Sequence, residues 1–155
     1  MFTAEDYRTF MKEGTLLREL NVGGVVFKVR LLNTQDVLLS DMVVDYLAST
    51  AKSWASPLQV SLDTLVRLAF IVEEVDGKRL EPVLSKEAKE KVLDSLLGLS
   101  GEEEKLSFVR DYVKPRIARL LNFPPAVIET LVSKYAELRE EVRKFIESEG
   151  GLPNS

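Results

Sequence analysis

Three aspartates in one segment come nearest to the pattern of a metal site. Asp41 and Asp45 are four positions apart, so a helix would point both carboxylates to one face. With Asp36 they could hold Mg²⁺ or Ca²⁺, which prefer oxygen ligands, in a carboxylate-metal enzyme. No glycine-rich loop or further convergent ligand accompanies them, and a solvated polar helix face is the simpler interpretation.

A second group of acids, Glu73, Glu74 and Asp76, lies in "EEVDG" and could in principle perform acid–base chemistry. Neighbouring residues of a strand point to opposite faces, so Glu73 and Glu74 would not act together. A tight turn at Asp76 explains the segment more simply.

Basic residues cluster between positions 105 and 119, where only Asp111 opposes them. Such a cluster could meet an acidic partner or a nucleic acid, but it is also typical of a charged helix surface. Tyr112 by itself does not form an aromatic platform on which bases could stack, so we favour the charged surface. The basic residues are Lys105, Arg110, Lys114, Arg116 and Arg119.

Two residue types that dominate enzyme active sites are missing, because the chain has no histidine and no cysteine. Their absence excludes Ser-His-Asp and Cys-His nucleophilic machinery, disulfides and the usual zinc sites. The sequence also lacks P-loop, Rossmann, G-x-S-x-G and metalloprotease signatures. We therefore expect a protein that is not an enzyme, with no catalytic residues, no metal and no cofactor.

Charge and hydropathy restrict the partners further. The formal net charge is −4, which does not favour nucleic acid, whose phosphates need a basic surface. No apolar run approaches the roughly 18–20 residues that span a bilayer, and "MFTAEDYRTF" lacks the pattern of a signal peptide. We expect an intracellular protein with no nucleic-acid or membrane partner. Asn and Gln are scarce beside many charged residues, as in proteins from heat-adapted sources.

Turn signals place two hairpins in the chain. Residues 3–12 are predicted to form a helix that Gly14 ends. "NVGG" between two β-rich runs predicts the first hairpin, and Asp76-Gly77 predicts a second with a type I′ turn. Because an isolated hairpin is only marginally stable, we expect both in one sheet. The residues expected on the buried face of the second strand alternate along it: Val25, Phe27, Val29 and Leu31.

Helical spacing fills most of the remaining chain. The predicted caps or first residues of these helices are Asn33 or Thr34, Ser56, Ser85, Ser100 and Pro124-Pro125. Pro115 is expected to end or kink the helix that follows Ser100, because proline has no N–H to donate. The predicted fold is α+β and mainly α-helical, with one or two short β-hairpins in a small antiparallel sheet and a long C-terminal helix. Residues 1–148 are expected to form one domain, and residues 149–155 a disordered tail or linker.

The last helix carries the clearest candidate for a partner surface. Six of its apolar residues are spaced 3, 4, 3, 4 and 3 apart: Ile128, Leu131, Tyr135, Leu138, Val142 and Phe145. This heptad seam would serve either the protein's own core or another helix. Val127, Val132, Ala136 and Ile146 widen the stripe, which is typical of a helix docked on its own domain. We expect the first half to pack internally, and the part beyond Leu138 to extend past the domain. The residues predicted to bind a partner are therefore the six seam residues together with Ile146 and Trp54, although Trp54 would also serve as a core plug.

Three segments together resemble the tail assembly chaperones of long-tailed, siphovirus-like bacteriophages. The first is "GGVVFKVRLLNTQDVLLSDMVVDYLA", a strand with an arginine, a short polar break and a helix. The second is "TLVRLAFIVEEVDGKRLEP", a helix that runs into a short hairpin. The third is "FPPAVIETLVSKYAELREEVRKFIE", a helix with a tyrosine and, three residues later, a leucine.

The resemblance implies a function. Such chaperones bind the tape measure protein, keep it soluble until tail tube subunits replace them, and work in the host cytoplasm without entering the mature virion. In many phages a frameshifted longer form recruits the tail tube protein, and "SEGGLPNS" would suit a linker to that extension. Self-association is expected with this role.

Two other interpretations remain open on the sequence alone. One is a helical adaptor or dimerisation protein of another phage structure, such as a baseplate assembly chaperone. The other is the metal-dependent enzyme that would use Asp36, Asp41 and Asp45.

Overall fold

The computed structural model describes residues 2–50, 61–98 and 102–150. Within these ranges the chain is mainly helical with one small antiparallel sheet, which confirms the predicted α+β class. The strands are β1 (Leu17–Val22), β2 (Val25–Arg30), β3 (Val72–Val75) and β4 (Lys78–Arg79), in the sheet order β1-β2-β3-β4. The helices are α1 (Ala4–Glu13), α2 (Thr34–Thr50), α3 (Leu62–Ile71), α4 (Lys86–Leu96), α5 (Glu102–Phe108), α6 (Lys114–Leu120) and α7 (Pro125–Phe145).

Both predicted hairpins form around two-residue turns with positive φ. Gly23 and Gly24 have φ of 59° and 85°, and Asp76 and Gly77 have φ of 49° and 81°. Type I′ turns need this backbone at both central positions, and their twist matches that of the flanking strands. The two hairpins therefore begin from local sequence alone.

The central strands join the two hairpins into one sheet. β2 pairs with β3 in antiparallel register, with Phe27 opposite Val75. Asp76 strengthens the junction, since its carboxylate Oδ1 accepts from the Val26 N–H at 2.8 Å and its own N–H donates to the Val26 carbonyl at 2.8 Å. The expectation of a single sheet is confirmed.

One core lies between the sheet and the long helix α7. The predicted buried face of the second strand is confirmed at Phe27, Val29 and Leu31, and Val25 is half-buried. Arg30, on the opposite face, is buried as well, so the expected alternation holds only in part. The α7 side of this core begins at Ile128 and continues along the helix. Hydrophobic burial therefore fixes α7 across the face of β1 and β2.

A second core lies among α2, α3, α4 and the end of α5, and α3 belongs to both cores. Leu65 and Leu68 face the sheet cluster, whereas Val66 and Phe70 face the helical cluster. Seven of the ten residues of α3 are buried, so this helix has no wide solvent face. It ties the sheet half of the molecule to the helical half.

Polar caps set the beginnings of two predicted helices. Thr3 accepts a hydrogen bond from the backbone N–H of Asp6 at the start of α1, and Gly14 ends the helix in a left-handed conformation. Ser85 accepts from the Ala88 N–H at 3.2 Å, which confirms it as the cap of α4.

The cap of α3 differs from the prediction. Ser61 accepts from the Thr64 N–H at 3.2 Å, and the helix begins at Leu62. The predicted caps Ser56 and Ser100 both lie outside the described residues.

Pro115 changes the hydrogen-bond pattern of its helix, as expected from its missing N–H. α5 continues through a π-helical turn, Val109–Val113, before α6 begins at Lys114. Pro115 then occupies the first turn of α6, where a backbone donor is not required.

The chain stays helical beyond the end of α7. After Phe145 the chain forms a π-helical turn, Ile146–Gly150, so residues 149 and 150 belong to this turn. The rest of the predicted tail, residues 151–155, lies outside the described residues.

Candidate functional site

The heptad seam of α7 lies in the protein's own core. Its buried members are Ile128, Leu131, Tyr135, Leu138 and Val142. They pack in one cluster with Phe27 and Val29 of the sheet. Ile128, Leu131 and Leu138 could meet a partner only if α7 left the sheet, whereas Tyr135 and Val142 also border the groove described below. The folded chain therefore uses the seam mainly for intramolecular packing.

The part of α7 beyond Leu138 does not extend past the domain as expected, because α1 packs against it. The Phe145 and Phe2 rings pack edge to face, with their centroids 5.2 Å apart, and the centroid of the Tyr7 ring lies 5.9 Å from that of Phe145. The Phe2 N–H also donates to Glu141 Oε1 at 2.8 Å. The N-terminal helix therefore covers Phe145, one of the residues predicted to meet a partner.

Tyr135 joins α7 to the start of the α2 segment. Its hydroxyl oxygen accepts from the Leu32 N–H at 3.2 Å and donates to the Arg30 carbonyl at 3.3 Å. Burial raises the pKa of this phenol above its ordinary value. Tyr135 is thus a neutral structural group at neutral pH.

Beside the seam, a neighbouring stripe of α7 borders an open groove of about 650 Å³, within the ~300–1,000 Å³ typical of ligand sites. Val132, Ala136, Arg139 and Ile146 form this stripe, with successive spacings of four, three and seven residues along one helix face. Ile146, predicted as a partner residue, is 39% exposed here. The remaining lining residues are Phe10, Leu31, Leu32, Val37, Asp63, Thr64, Arg67, Leu68, Ile71, Tyr135, Val142, Arg143 and Glu147.

The groove has a largely apolar floor and a charged rim. Arg67 pairs with Asp41 at 2.8 Å and with Asp63 at 3.1 Å, and the hydrogen bond to Asp63 raises the pKa of the guanidinium. At the other end, Arg143 pairs with Glu140 and Glu147. Both acids of the rim, Asp63 and Glu147, are therefore already paired with arginines.

Arg139 differs from the other rim charges. Its side chain is exposed and lies midway along the α7 stripe. Among the described residues, no carboxylate forms an ion pair with it. The groove thus presents one unneutralised positive charge inside an otherwise internally paired rim. Sequence reasoning missed Arg139, because it looks like any other solvent-facing residue of α7.

The three aspartates of α2 do not converge. Asp36 is buried and pairs with Arg30 at 2.8 Å and with Lys89 at 2.9 Å, whereas Asp41 pairs with Arg67 and Asp45 is exposed. In the described ranges, no group of three acids could hold a metal ion.

Asp36 anchors a buried ionic network instead. Burial by itself would raise the pKa of Asp36, but hydrogen bonds and attraction from Arg30 and Lys89 hold it below its ordinary value. Burial and the nearby Arg30 lower the pKa of Lys89. Glu73 completes the network by pairing with Arg30 at 2.9 Å. Charge pairing inside the fold therefore accounts for Asp36.

The acids of "EEVDG" also have structural partners, and the two glutamates do not share one. Glu74 lies 3.6 Å from Lys28 across the sheet, while Glu73 belongs to the Arg30 network. Asp76 holds the junction of the hairpins. This arrangement matches the simpler interpretation of the segment.

The basic cluster does not form one surface, because Arg116 is 2% exposed. Its guanidinium donates to the carbonyl oxygens of Ala69 at 2.7 Å, Leu80 at 2.5 Å and Pro82 at 2.9 Å, and also to that of Val72. Burial lowers the pKa of Arg116 to about 10, so it stays charged at neutral pH. Arg116 links α6 to the ends of α3 and the second hairpin.

Other members of the basic cluster have their own acidic neighbours. Lys105 pairs with Glu102 at 3.2 Å, and Arg110 pairs with Asp111 at 2.9 Å. The interpretation as a charged helix surface fits these residues, but not the buried Arg116. Trp54, the remaining predicted partner residue, lies outside the described residues.

A second concavity of about 640 Å³ lies between α4 and α5. Its acidic lining residues are Glu87, Asp94, Glu103, Glu104 and Asp111, and Lys91 is its basic one. It is much more polar than the groove beside α7, which leaves the latter as the better candidate for apolar recognition.

The fold and the groove define a mainly helical α+β domain with an open apolar recess beside α7, the longest helix of the described residues. Among the described residues, no helix combines the length and the apolar character that crossing a membrane requires. Neither the scan against protein-family models, nor the search of curated proteins, nor that of solved structures returns a match.

Proposed function

We propose that this chain is a tail assembly chaperone of a long-tailed bacteriophage, and that the groove beside α7 binds helical segments of the tape measure protein. One observation carries the proposal. The three segments that resemble this family, residues 23–48, 64–82 and 123–147, supply nearly all of the groove lining. The segments that suggested the function in sequence therefore meet at one candidate binding surface in space.

The groove suits a helical client by its shape and its chemistry. Its lining on α7 and the π-helical turn that follows extends from Val132 to Glu147, roughly 22 Å at 1.5 Å per residue. An amphipathic helix of about four turns would match that length and place its apolar face on the floor. Leu32, Val37 and Ile71 face the stripe of α7 from the other walls.

A chaperone of this kind must also release its client. An open groove that covers only one side of the client gives a weak individual site, and many copies along one long client give avidity. Self-association of the chaperone along the client belongs to the same proposal. No bond is made or broken, so the role is that of a non-enzymatic binding protein acting in the host cytoplasm and absent from the mature virion.

Recruitment of the tail tube protein is the second part of the proposed role. A frameshifted longer form would carry the tube-binding extension, and the short form would cover the remaining client surface. The position of the C-terminal end of α7 beside the groove would place such an extension close to the bound client.

The proposal is tested by co-expression with fragments of the tape measure protein encoded near this chain. We expect the fragments to become soluble and to co-purify with the chaperone. Ile146→Glu should abolish co-purification, because it puts a charge on the apolar stripe. Leu106→Glu is the matched control, since Leu106 is 42% exposed and does not line the groove. Fragments that stay insoluble and never co-purify would contradict the proposal.

The groove would also fit a second copy of the chain, as in a helical adaptor that dimerises. Sedimentation at several concentrations separates the two interpretations. A closed dimer that Ile146→Glu converts to monomer, with no capture of the client, would favour the adaptor.

A further inference from the structure

We infer that Arg139 selects the occupant of the groove: an amphipathic helix that carries an aspartate or glutamate at the edge of its apolar face. This inference rests on the proposed binding function of the groove and adds the chemistry of the bound segment. The basis is the set of ion pairs at the rim of the groove.

The ion pairs of the rim leave one arginine without a carboxylate partner among the described residues. Asp63 is held by Arg67, and Glu147 is held by Arg143. In the described part of the chain, Arg139 is the only rim charge without an ion-pair partner. On the described rim, a carboxylate of the occupant would therefore meet an unpaired cation only at Arg139, since Arg67 and Arg143 each already face two carboxylates.

Because of its position, Arg139 would be covered by a helix bound in the groove. Ala136 and Val132 precede it on the stripe by three and seven positions, and Ile146 follows it by seven. A helix seated on these apolar residues would cover the middle of the stripe and withdraw the guanidinium from water. Burying an unpaired charge is costly, whereas a carboxylate would form a charge-assisted and bidentate contact.

The same geometry rejects the wrong occupant. A lysine or arginine of the partner at this place would meet Arg139 with like charge in a partly desolvated groove. A neutral residue would leave Arg139 covered and unpaired. The groove therefore discriminates among helices with equal apolar stripes by the residue that lies beside Arg139.

The test uses overlapping 25-residue peptides that tile the tape measure protein, measured by fluorescence anisotropy against the full chain. We expect the bound peptides to be amphipathic with an acidic residue flanking the apolar stripe. Arg139→Glu should weaken their binding by on the order of tenfold. Exchange of the peptide's acidic residue for lysine should restore binding to Arg139→Glu and weaken binding to the parent chain. Arg119→Glu, which changes an exposed arginine outside the groove, should leave the affinities within about twofold.

The outcomes separate the two proposals. Peptides that bind the parent and Arg139→Glu equally would overturn the role of Arg139 and leave groove binding intact. If no peptide binds, the proposed function itself fails, and the inference falls with it. Arg139→Glu that disrupts a dimer of the free chain would identify a second copy as the occupant and overturn the inference.

Discussion

Truncation of Leu131 to alanine should destabilise the fold by about 2–5 kcal/mol, the range for buried leucines whose cavities refill only partly. Leu131 is 0% exposed and packs in the cluster of Phe27 and Val29. For a chain of this size, 1 kcal/mol corresponds to about 2–4 °C in Tm, so we expect Tm to fall by roughly 4–20 °C. The loss of unfolding free energy shows how much packing of the seam contributes to the stability of the core.

Ile146→Ala is the matched truncation on the neighbouring stripe. Full burial of an isoleucine contributes about 1.5–3 kcal/mol, and Ile146 is partly exposed on the groove, so we expect a loss of about 1 kcal/mol or less. Urea unfolding followed by circular dichroism gives both free energies, provided that the m-values agree. In the co-purification assay, Ile146→Ala should reduce capture of the client.

The opposite combination of stability and client capture would contradict the assignment of the seam to the core. Suppose that the free energy of unfolding of Leu131→Ala lies within about 1 kcal/mol of the parent value, but the variant no longer captures the client. The seam would then be a binding surface, and the assignment of α7 to the core would be wrong.

Two further predictions concern the buried charges. Arg116→Met should lower the free energy of unfolding by about 2–4 kcal/mol, because four carbonyl oxygens lose their charged donor in a buried site. If urea unfolding shows a loss of less than about 1 kcal/mol in the free energy of unfolding, these carbonyl oxygens accept from other donors in the variant. The pKa of Asp36 is lowered from its ordinary 3.8, so its stabilising effect is complete above pH 3.8 and is lost as pH falls through the lower native value. Asp36→Asn should therefore be less stable than the parent at neutral pH and should lose less stability on acidification, and identical acid slopes for the two proteins would count against the network around Asp36.

Local chemistry made much of the fold predictable. The positive φ at Gly23, Gly24 and Gly77 follows from turn sequences whose requirements are contained in two or three residues. The alternation along β2 and the cap at Ser85 are equally local. The turn and the cap are specified by neighbouring residues, so their conformation can be predicted without knowledge of long-range contacts.

Features that depend on distant parts of the chain were not predictable in the same way. Arg116 looks like one member of a basic cluster, and only the approach of α6 to the ends of α3 and β4 supplies its four carbonyl partners. Asp36 looks like a helix-terminal acid until Lys89, more than fifty positions away, meets it. The structural roles of Arg116 and Asp36 both depend on partners that only the tertiary fold brings close.

The candidate site shows the same division. The apolar periodicity of α7 correctly identified a surface that must be covered, and Ile146 was named on that basis. Periodicity does not tell which element covers it, and α1 takes the place that a partner was expected to fill at Phe145. The groove is lined instead by the adjacent stripe, where Val132 and Ala136 had appeared only as a broadening of the seam.

Hydrogen–deuterium exchange of the chain with and without a solubilised tape measure fragment tests the central claim most directly. We expect slower exchange on binding in α3 and along residues 132–147, and unchanged exchange around the acidic concavity between α4 and α5. Protection confined to α4 and α5, or no protection in a sample that contains the complex, would contradict it.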